Sequence, residues 1–159
     1  MGAFVGWGLT QPNPLTLIKE NNPMEKRLVA VGIMIFNSKS EFLLLKYRNM
    51  EFWALPGGGM EEDETVMDCL HRELREELGE VQVEVLGIAV ARSFICEGLP
   101  AVSLIFLGTY LRGEISLSNE HDAYRWTHMA EVEKGELPHP YDIDIFQRAV
   151  KLYPLLTQV

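Results

Sequence analysis

The chain has little cysteine, no long apolar run and no excess of positive charge. Its two cysteines, Cys69 and Cys96, form neither a disulfide framework nor a metal-ligand spacing. A chain of 159 residues can bury a core without covalent staples. Both thiols are therefore expected reduced, in or near the core, where free cysteine packs as a small hydrophobe. No stretch approaches the roughly 20 apolar residues of a membrane span. The apolar residues 1–9 lack the positive n-region of a signal peptide, so a cytoplasmic protein is expected. With 14 Lys and Arg against 23 Asp and Glu, the net charge of −9 argues against a nucleic-acid-binding surface, which carries a basic patch. An acidic protein can still handle a polyanion if divalent cations sit between the two. Repeats and any sign of a second domain are also missing.

What is present reads as one α/β domain behind a short lead-in. Residues 1–25 form an extension or arm, with three prolines and several asparagines between Thr10 and Pro23. Met24, just before the first strong strand pattern, is an alternative start. Residues 28–36 (LVAVGIMIF) predict a buried strand, 37–40 a turn and 41–48 the returning strand. Residues 53–55 are short and extended and run into Pro56-Gly57-Gly58-Gly59, which no regular element is expected to hold. A helix follows: Thr65 and Asp68 make a capping box, Leu70, Leu74 and Leu78 recur every four residues, and Gly79 stops it. Strands are expected at 81–95 and 102–110, parted by Gly98-Leu99-Pro100, with a shorter one at 124–127. A last helix over 143–153 places Ile143, Phe146, Val150 and Tyr153 on one face, and Pro154 ends it. Strands with one central and one terminal helix imply an α/β sandwich with a mixed sheet.

The chemistry concentrates between Gly58 and Glu80. Glu73, Glu76 and Glu77 share one helix face within an arc of roughly 100°. Like charges at i, i+4 repel, so a cluster that costs stability implies a compensating partner. Oxygen ligands from carboxylates, completed by water and phosphate, are what Mg²⁺ prefers. The ordinary alternative is a solvated face neutralised by Arg72 and Arg75. Two features weigh against it. A triple-glycine segment that can bring backbone close to a ligand precedes the helix. Glu73 and Glu77 also fall at the border of the leucine stripe, with Val66 between them on the helical wheel.

These residues resemble the Nudix hydrolase box: Gly58, Glu64, then Arg72-Glu73-Leu74-Arg75-Glu76-Glu77-Leu78-Gly79 at the family's spacing. Seven fixed identities at fixed spacing should arise by chance on the order of once in a million chains. Glu80 departs from the pattern, standing where an aliphatic residue is usual, and a local packing change is expected there. The resemblance implies an α/β/α sandwich over 26–159 and hydrolysis of a diphosphate linkage in a nucleoside diphosphate joined to another group. It implies Mg²⁺ or Mn²⁺ held by Glu73, Glu76 and Glu77, with the Gly57 carbonyl as a further ligand. It also implies a Glu64–Arg72 ion pair joining loop to helix, and Glu73 or Glu77 as the base.

Outside the box, Lys46 and Arg48 are candidate phosphate contacts, with solvated strand-end charge as the alternative; Arg92 is a weaker one. Gly58 is a candidate for substrate approach. Residues 117–126 resemble a segment of asymmetric dinucleoside tetraphosphate hydrolases, which implies Glu120 near the metal and Tyr124 or Trp126 near a base. The Pro-Gly-Gly loop instead resembles enzymes acting on nucleoside triphosphates and nucleotide sugars. Nucleoside triphosphates or derivatives therefore lead, and dinucleoside polyphosphates are the alternative. Two other readings are set aside. A non-catalytic sensing module typically loses box carboxylates, all of which are kept here, and an isoprenoid diphosphate isomerase needs further catalytic residues that are not identifiable. The four histidines make no ligand set; His121 alone merits a test, because it neighbours Glu120. Expected partners are a small nucleotide, no nucleic acid and no membrane, with a homodimer through residues 1–25 left open.

Overall fold

The computed structural model describes residues 27–157; the expectations for the arm at 1–25 lie outside them. Strand β1 (Leu28–Phe36) owes its unbroken apolar run to burial on both faces. Val31, Ile33 and Ile35 join one core cluster, and Met34 and Phe36 join another on the opposite side. Strand β2 (Phe42–Tyr47) divides likewise, with Leu43 and Leu45 in the first cluster and Phe42 and Leu44 in the second. Each face then needs a cover. Helix α1 (Val66–Leu78) supplies Cys69, Leu70, Leu74 and Leu78 to the first. Helix α3 (Ile143–Thr157) supplies Ile145, Phe146 and Ala149 to the second. The result is an α/β/α sandwich.

The sheet is mixed and seven-stranded. Along its main path β3 (Trp53–Ala54) pairs β2, β2 pairs β1, β1 pairs β6 (Leu99–Arg112), and β6 pairs β5 (Gln82–Cys96). The β1–β6 pair is parallel, running from Leu28↔Ala101 to Phe36↔Thr109, and the others are antiparallel. Strand β7 (His121–Thr127) lies along β2, with Tyr47 opposite His121. Strands β1 and β2 share one register pair, Phe36↔Phe42, and then part. Residues 53–59 fill the opening, with β3 on β2 and β4 (Gly57–Gly59) on β1. This splayed seam positions the site.

Several sequence expectations need correction. Residues 57–59 are a strand, not an irregular loop. Gly57 pairs with Gly32 at φ 141°, where a Cβ would collide with the Val31 carbonyl, so only glycine lets β4 approach β1. The β5–β6 turn is tighter than expected, centred on Glu97 and Gly98 at φ 51° and 80°, so Leu99 and Pro100 already belong to β6. Strand β7 begins three residues before the expected 124–127. A short helix α2 (Met129–Glu133) was not expected; five residues give too little periodicity to read. Helix α3 passes through Pro154 to Thr157. Proline there removes only one hydrogen bond, the one an N–H at 154 would make to the Val150 carbonyl, in a last turn whose Leu155 is 67% exposed. Its buried edge is Ile145, Phe146 and Ala149, whereas Ile143 is exposed; Val150 and Tyr153 pack beside that edge. Small Ala149 lets the helix backbone come close to the sheet. Cys69 is buried and Cys96 half-buried, both free thiols. No helix among the described residues is long and apolar enough to cross a membrane.

Candidate active site

Helix α1 begins as its sequence demands. The Thr65 side chain accepts from the Asp68 N–H while the Asp68 carboxylate accepts from the Thr65 N–H, a closed capping box. At the other end the Gly79 N–H bonds the Arg75 carbonyl at φ 76°. With both ends fixed and the leucine edge buried, the helix rotation is set. That rotation carries Glu73 and Glu77 to the seam between β1 and β2.

Glu77 is 4% exposed. One of its carboxylate oxygens accepts the Gly57 N–H at 2.7 Å, so the β4 pairing that places Gly57 also anchors Glu77. Burial pushes the Glu77 carboxyl up to about 8, against the pull of the Gly57 N–H, with repulsion from Glu73, Glu120 and Glu76 added. Glu73 lies against Gly58, where a Cβ would collide with its carboxylate. Burial raises the Glu73 carboxyl too, while Arg72 pulls it down. The charge of Glu120, which is exposed, reaches both carboxylates.

Arg72 is the hub of the acidic cluster. Its guanidinium donates to Glu64 Oε1 and Oε2 at 2.5 and 3.0 Å, Glu73 Oε1 at 2.8 Å, Glu76 Oε2 at 3.1 Å and the Gly59 carbonyl at 3.0 Å. This is the expected Glu64–Arg72 pair, extended into a network by the planar fork of arginine. Hydrogen bonds from Arg72 lower the Glu64 carboxyl to about 2. The network also spends two of the carboxylates. Among the described residues, no three His, Cys, Asp or Glu side chains converge tightly enough to hold a metal ion as they stand. The trio Glu73, Glu76 and Glu77 is assembled on one face but not closed around a point. Its chemistry nevertheless fits a hard divalent cation: the donors are all oxygen, two are desolvated, and Glu76, 59% exposed, can turn away from Arg72.

The remaining candidates spread out. Lys46 stands opposite Trp53 and Ala123 in the sheet and makes no ion pair among the described residues. Arg48 is engaged by the neighbouring turn: it donates to the Asn119 carbonyl and pairs with Asp122 at 3.6 Å, and its N–H bonds the Glu120 carbonyl at 2.8 Å. Arg92 pairs with Asp142 at 2.8 Å. Tyr124 is 45% exposed and lines a separate cavity of about 490 Å³ with Tyr110, Trp126 and Asn37, and no box carboxylate lines that cavity. Glu80 is exposed just past the helix.

Sequence reasoning singled out His121 only as a neighbour of Glu120, and did not foresee that it joins Tyr47 and Tyr141 beneath the carboxylates. His121 is 3% exposed, with Nε2 3.4 Å from Glu77 Oε1 and its ring 4.6 Å from that of Tyr47. Burial lowers the His121 imidazole and raises the Tyr47 phenol. Tyr141, raised by burial to about 12, accepts the Leu55 N–H at 3.2 Å just before the glycine strand. The β2–β7 pairing brings His121 to Glu77 across 44 residues of chain, and no local pattern signals it.

Comparison with known proteins agrees with this geometry. The sequence matches the family model described as NUDIX domain over residues 26–148. Over 95 residues it is 35% identical to a zebrafish (Danio rerio) protein named 8-oxo-dGDP phosphatase NUDT18, covering 58% of this chain and 28% of that one. Over 70 residues it is 37% identical to an RNA pyrophosphohydrolase of Pseudomonas fluorescens, covering 44% of each. The match thus spans less than half the length of these curated relatives. Among solved structures, a MutT protein from Methanosarcina mazei Go1 superposes with a TM-score of 0.69 at 28% identity, covering 83% of this chain and 99% of that one. A C. elegans Ap4A hydrolase shares the fold at a TM-score of 0.68 and 20% identity, covering 83% and 99%. Because the family match extends over well more than half of the sequence, and the splayed sheet carries the box as the family's sandwich requires, the chain belongs to the Nudix family of hydrolases.

Proposed function

We propose that the chain is a divalent-cation-dependent pyrophosphohydrolase that cleaves a phosphoric anhydride bond in a nucleoside triphosphate or a close derivative. The observation that carries this reading is the state of Glu77. It is a buried carboxylate among the like charges of Glu73, Glu76 and Glu120, with no Lys or Arg paired to it among the described residues. A desolvated anion in that position is costly unless a cation joins it.

Glu73, Glu76 and Glu77 would hold Mg²⁺ or Mn²⁺, with the Gly57 carbonyl and Glu120 as further oxygens. A cation there would neutralise phosphate oxygens and acidify the attacking water. The protein's own groups do the rest. Arg72 ties Glu64 and the Gly59 carbonyl to the helix, so loop and carboxylates move as one body. The Gly57 N–H aims Glu77. Glu73 or Glu77 accepts the proton of water, each carboxylate held in place by a hydrogen bond, Glu73 from Arg72 and Glu77 from the Gly57 N–H. Gly58 leaves the space in which Glu73 and a phosphate can both approach backbone.

The dinucleoside polyphosphate alternative has one structural argument in its favour: the aromatic cavity at Tyr124, Trp126 and Tyr110 offers room for a second base beyond the carboxylates. A panel separates the readings. It comprises nucleoside triphosphates, oxidised deoxynucleoside diphosphates and triphosphates, dinucleoside polyphosphates and 5′-triphosphate RNA, each with Mg²⁺ and Mn²⁺. The oxidised nucleotides and RNA enter because of what the zebrafish and bacterial relatives are named for. Products formed in ¹⁸O-labelled water identify the attacked phosphorus. A folded protein with no cation-dependent turnover anywhere in the panel overturns the proposal.

A further inference from the structure

The imidazole of His121 is buried, and its Nε2 has no hydrogen-bond partner among the described residues. An orphaned polar atom in such a place costs free energy unless it has a use. It lies 3.4 Å from Glu77 Oε1, slightly too far for an ordinary hydrogen bond and close enough to become one by a small turn of ring or carboxylate.

An ionised Glu77 oxygen can only accept, so a hydrogen bond to it requires the imidazole proton on Nε2, and Ser118 is placed to serve the other nitrogen. The Glu120 N–H points to Ser118 Oγ at 3.3 Å, so that oxygen is already an acceptor. Ser118 Oγ lies 3.3 Å from His121 Nδ1 and has its own hydrogen left to donate. Nδ1 then accepts, and the proton of the neutral ring sits on Nε2, aimed at Glu77. Every donor in this relay points the same way, from the Glu120 backbone through Ser118 and His121 to the carboxylate. The Tyr47 ring lies across the imidazole at 4.6 Å and limits its rotation. The other oxygen of Glu77 is taken by the Gly57 N–H.

We propose that His121 is a positioning residue for Glu77: with Ser118 setting its tautomer, it holds the carboxylate from behind so that the remaining lone pairs face the cation. This rests on the metal site proposed above. Partners that orient a ligating carboxylate typically contribute 10–100-fold to metal affinity or activity.

The test uses the full chain and reads binding and tautomer directly. Long-range ¹H–¹⁵N spectra of the metal-free protein at about pH 9.5, where Glu77 is ionised, should show His121 protonated on Nε2; protonation on Nδ1 alone overturns the proposal. Mn²⁺ binding followed by EPR should weaken roughly 10–100-fold in His121→Asn, whose short amide cannot reach Glu77. In His121→Gln, whose amide nitrogen falls near the Nε2 position, most of the loss should return. Equal Mn²⁺ affinity in the Asn variant and the wild type also overturns it. Should the Asn variant fail to fold, the tautomer and the Gln variant decide, since a Gln variant that folds but binds tenfold more weakly counts against the relay. Glu77→Gln serves as the control on the underlying reading. If it leaves Mn²⁺ binding intact, the metal site itself is misplaced; if it abolishes binding while His121→Asn does not, only the role of His121 is lost.

Discussion

Replacing Glu77 by Gln should make the metal-free protein more stable at alkaline pH while removing its activity. The Glu77 carboxyl is raised by burial from 4.5 to about 8 in the folded state. Between those values the folded protein holds a proton that the unfolded chain releases. Stability from this group is therefore complete below about pH 4.5, declines as pH rises, and levels off above about pH 8. Each pH unit across the window costs about 1.4 kcal/mol, so the metal-free wild type should lose on the order of 3–4 kcal/mol between pH 5 and 8.5 from Glu77 alone. Glutamine keeps an oxygen to accept the Gly57 N–H and carries no charge to desolvate. Urea unfolding in EDTA, followed by tryptophan fluorescence, should show near-equal stabilities at pH 5 and a variant more stable by a few kcal/mol at pH 8.5. Comparing the two proteins cancels the titration of other groups to first order. With Mg²⁺ restored, the variant should lose turnover by roughly 10³-fold, since several kcal/mol of charge stabilisation depend on the site. A variant with the same pH dependence as the wild type, or with retained turnover, refutes the reasoning.

Other substitutions separate scaffold from chemistry. Gly57→Ala should cost about 3 kcal/mol or more in urea unfolding, because its Cβ meets the backbone of Val31 and Gly32 at a φ that side chains avoid. Gly58→Ala should leave stability within about 1 kcal/mol but lower kcat more than tenfold, because the atoms nearest the new methyl all belong to the Glu73 carboxylate, the end of a side chain that can shift; a large stability loss with normal kcat contradicts this. Arg72→Lys should destabilise by roughly 2 kcal/mol and weaken Mn²⁺ binding, since an ammonium cannot serve Glu64, Glu73, Glu76 and the Gly59 carbonyl together. Pro154→Ala should raise the urea midpoint, with a gain of up to about 1 kcal/mol, by restoring one hydrogen bond in the last turn of α3; a loss would mean that the proline ring packs against the core.

Much of the box could be read from one dimension because its parts are local. Thr65, Asp68 and Gly79 set the ends of α1 through bonds to nearby residues, and the four-residue spacing of leucines sets its buried edge. Glu64 and Arg72 are eight residues apart, and their ion pair closes within one loop and two helical turns. Glu73 and Glu77 at the border of that edge could likewise be expected to meet the core. The glycine strand was less legible, because its order comes from β1 rather than from any propensity of Gly57, Gly58 or Gly59. The same holds for α2, too short for a period, and for the edge that α3 buries, which Ala149 decides by size.

The amino-acid sequence by itself determined the helix that carries the carboxylates, the β1–β2 hairpin and the chemistry of the donors, since each depends on contacts between residues close in the chain. Only the tertiary structure decided that β1 and β2 part after Phe36↔Phe42, that Gly57 enters the opening to bind Glu77, and that His121 arrives behind it. Those outcomes depend on strand partners distant in the chain, with other strands and helix α1 between them, and pairing at that range is chosen by the packing of the whole core.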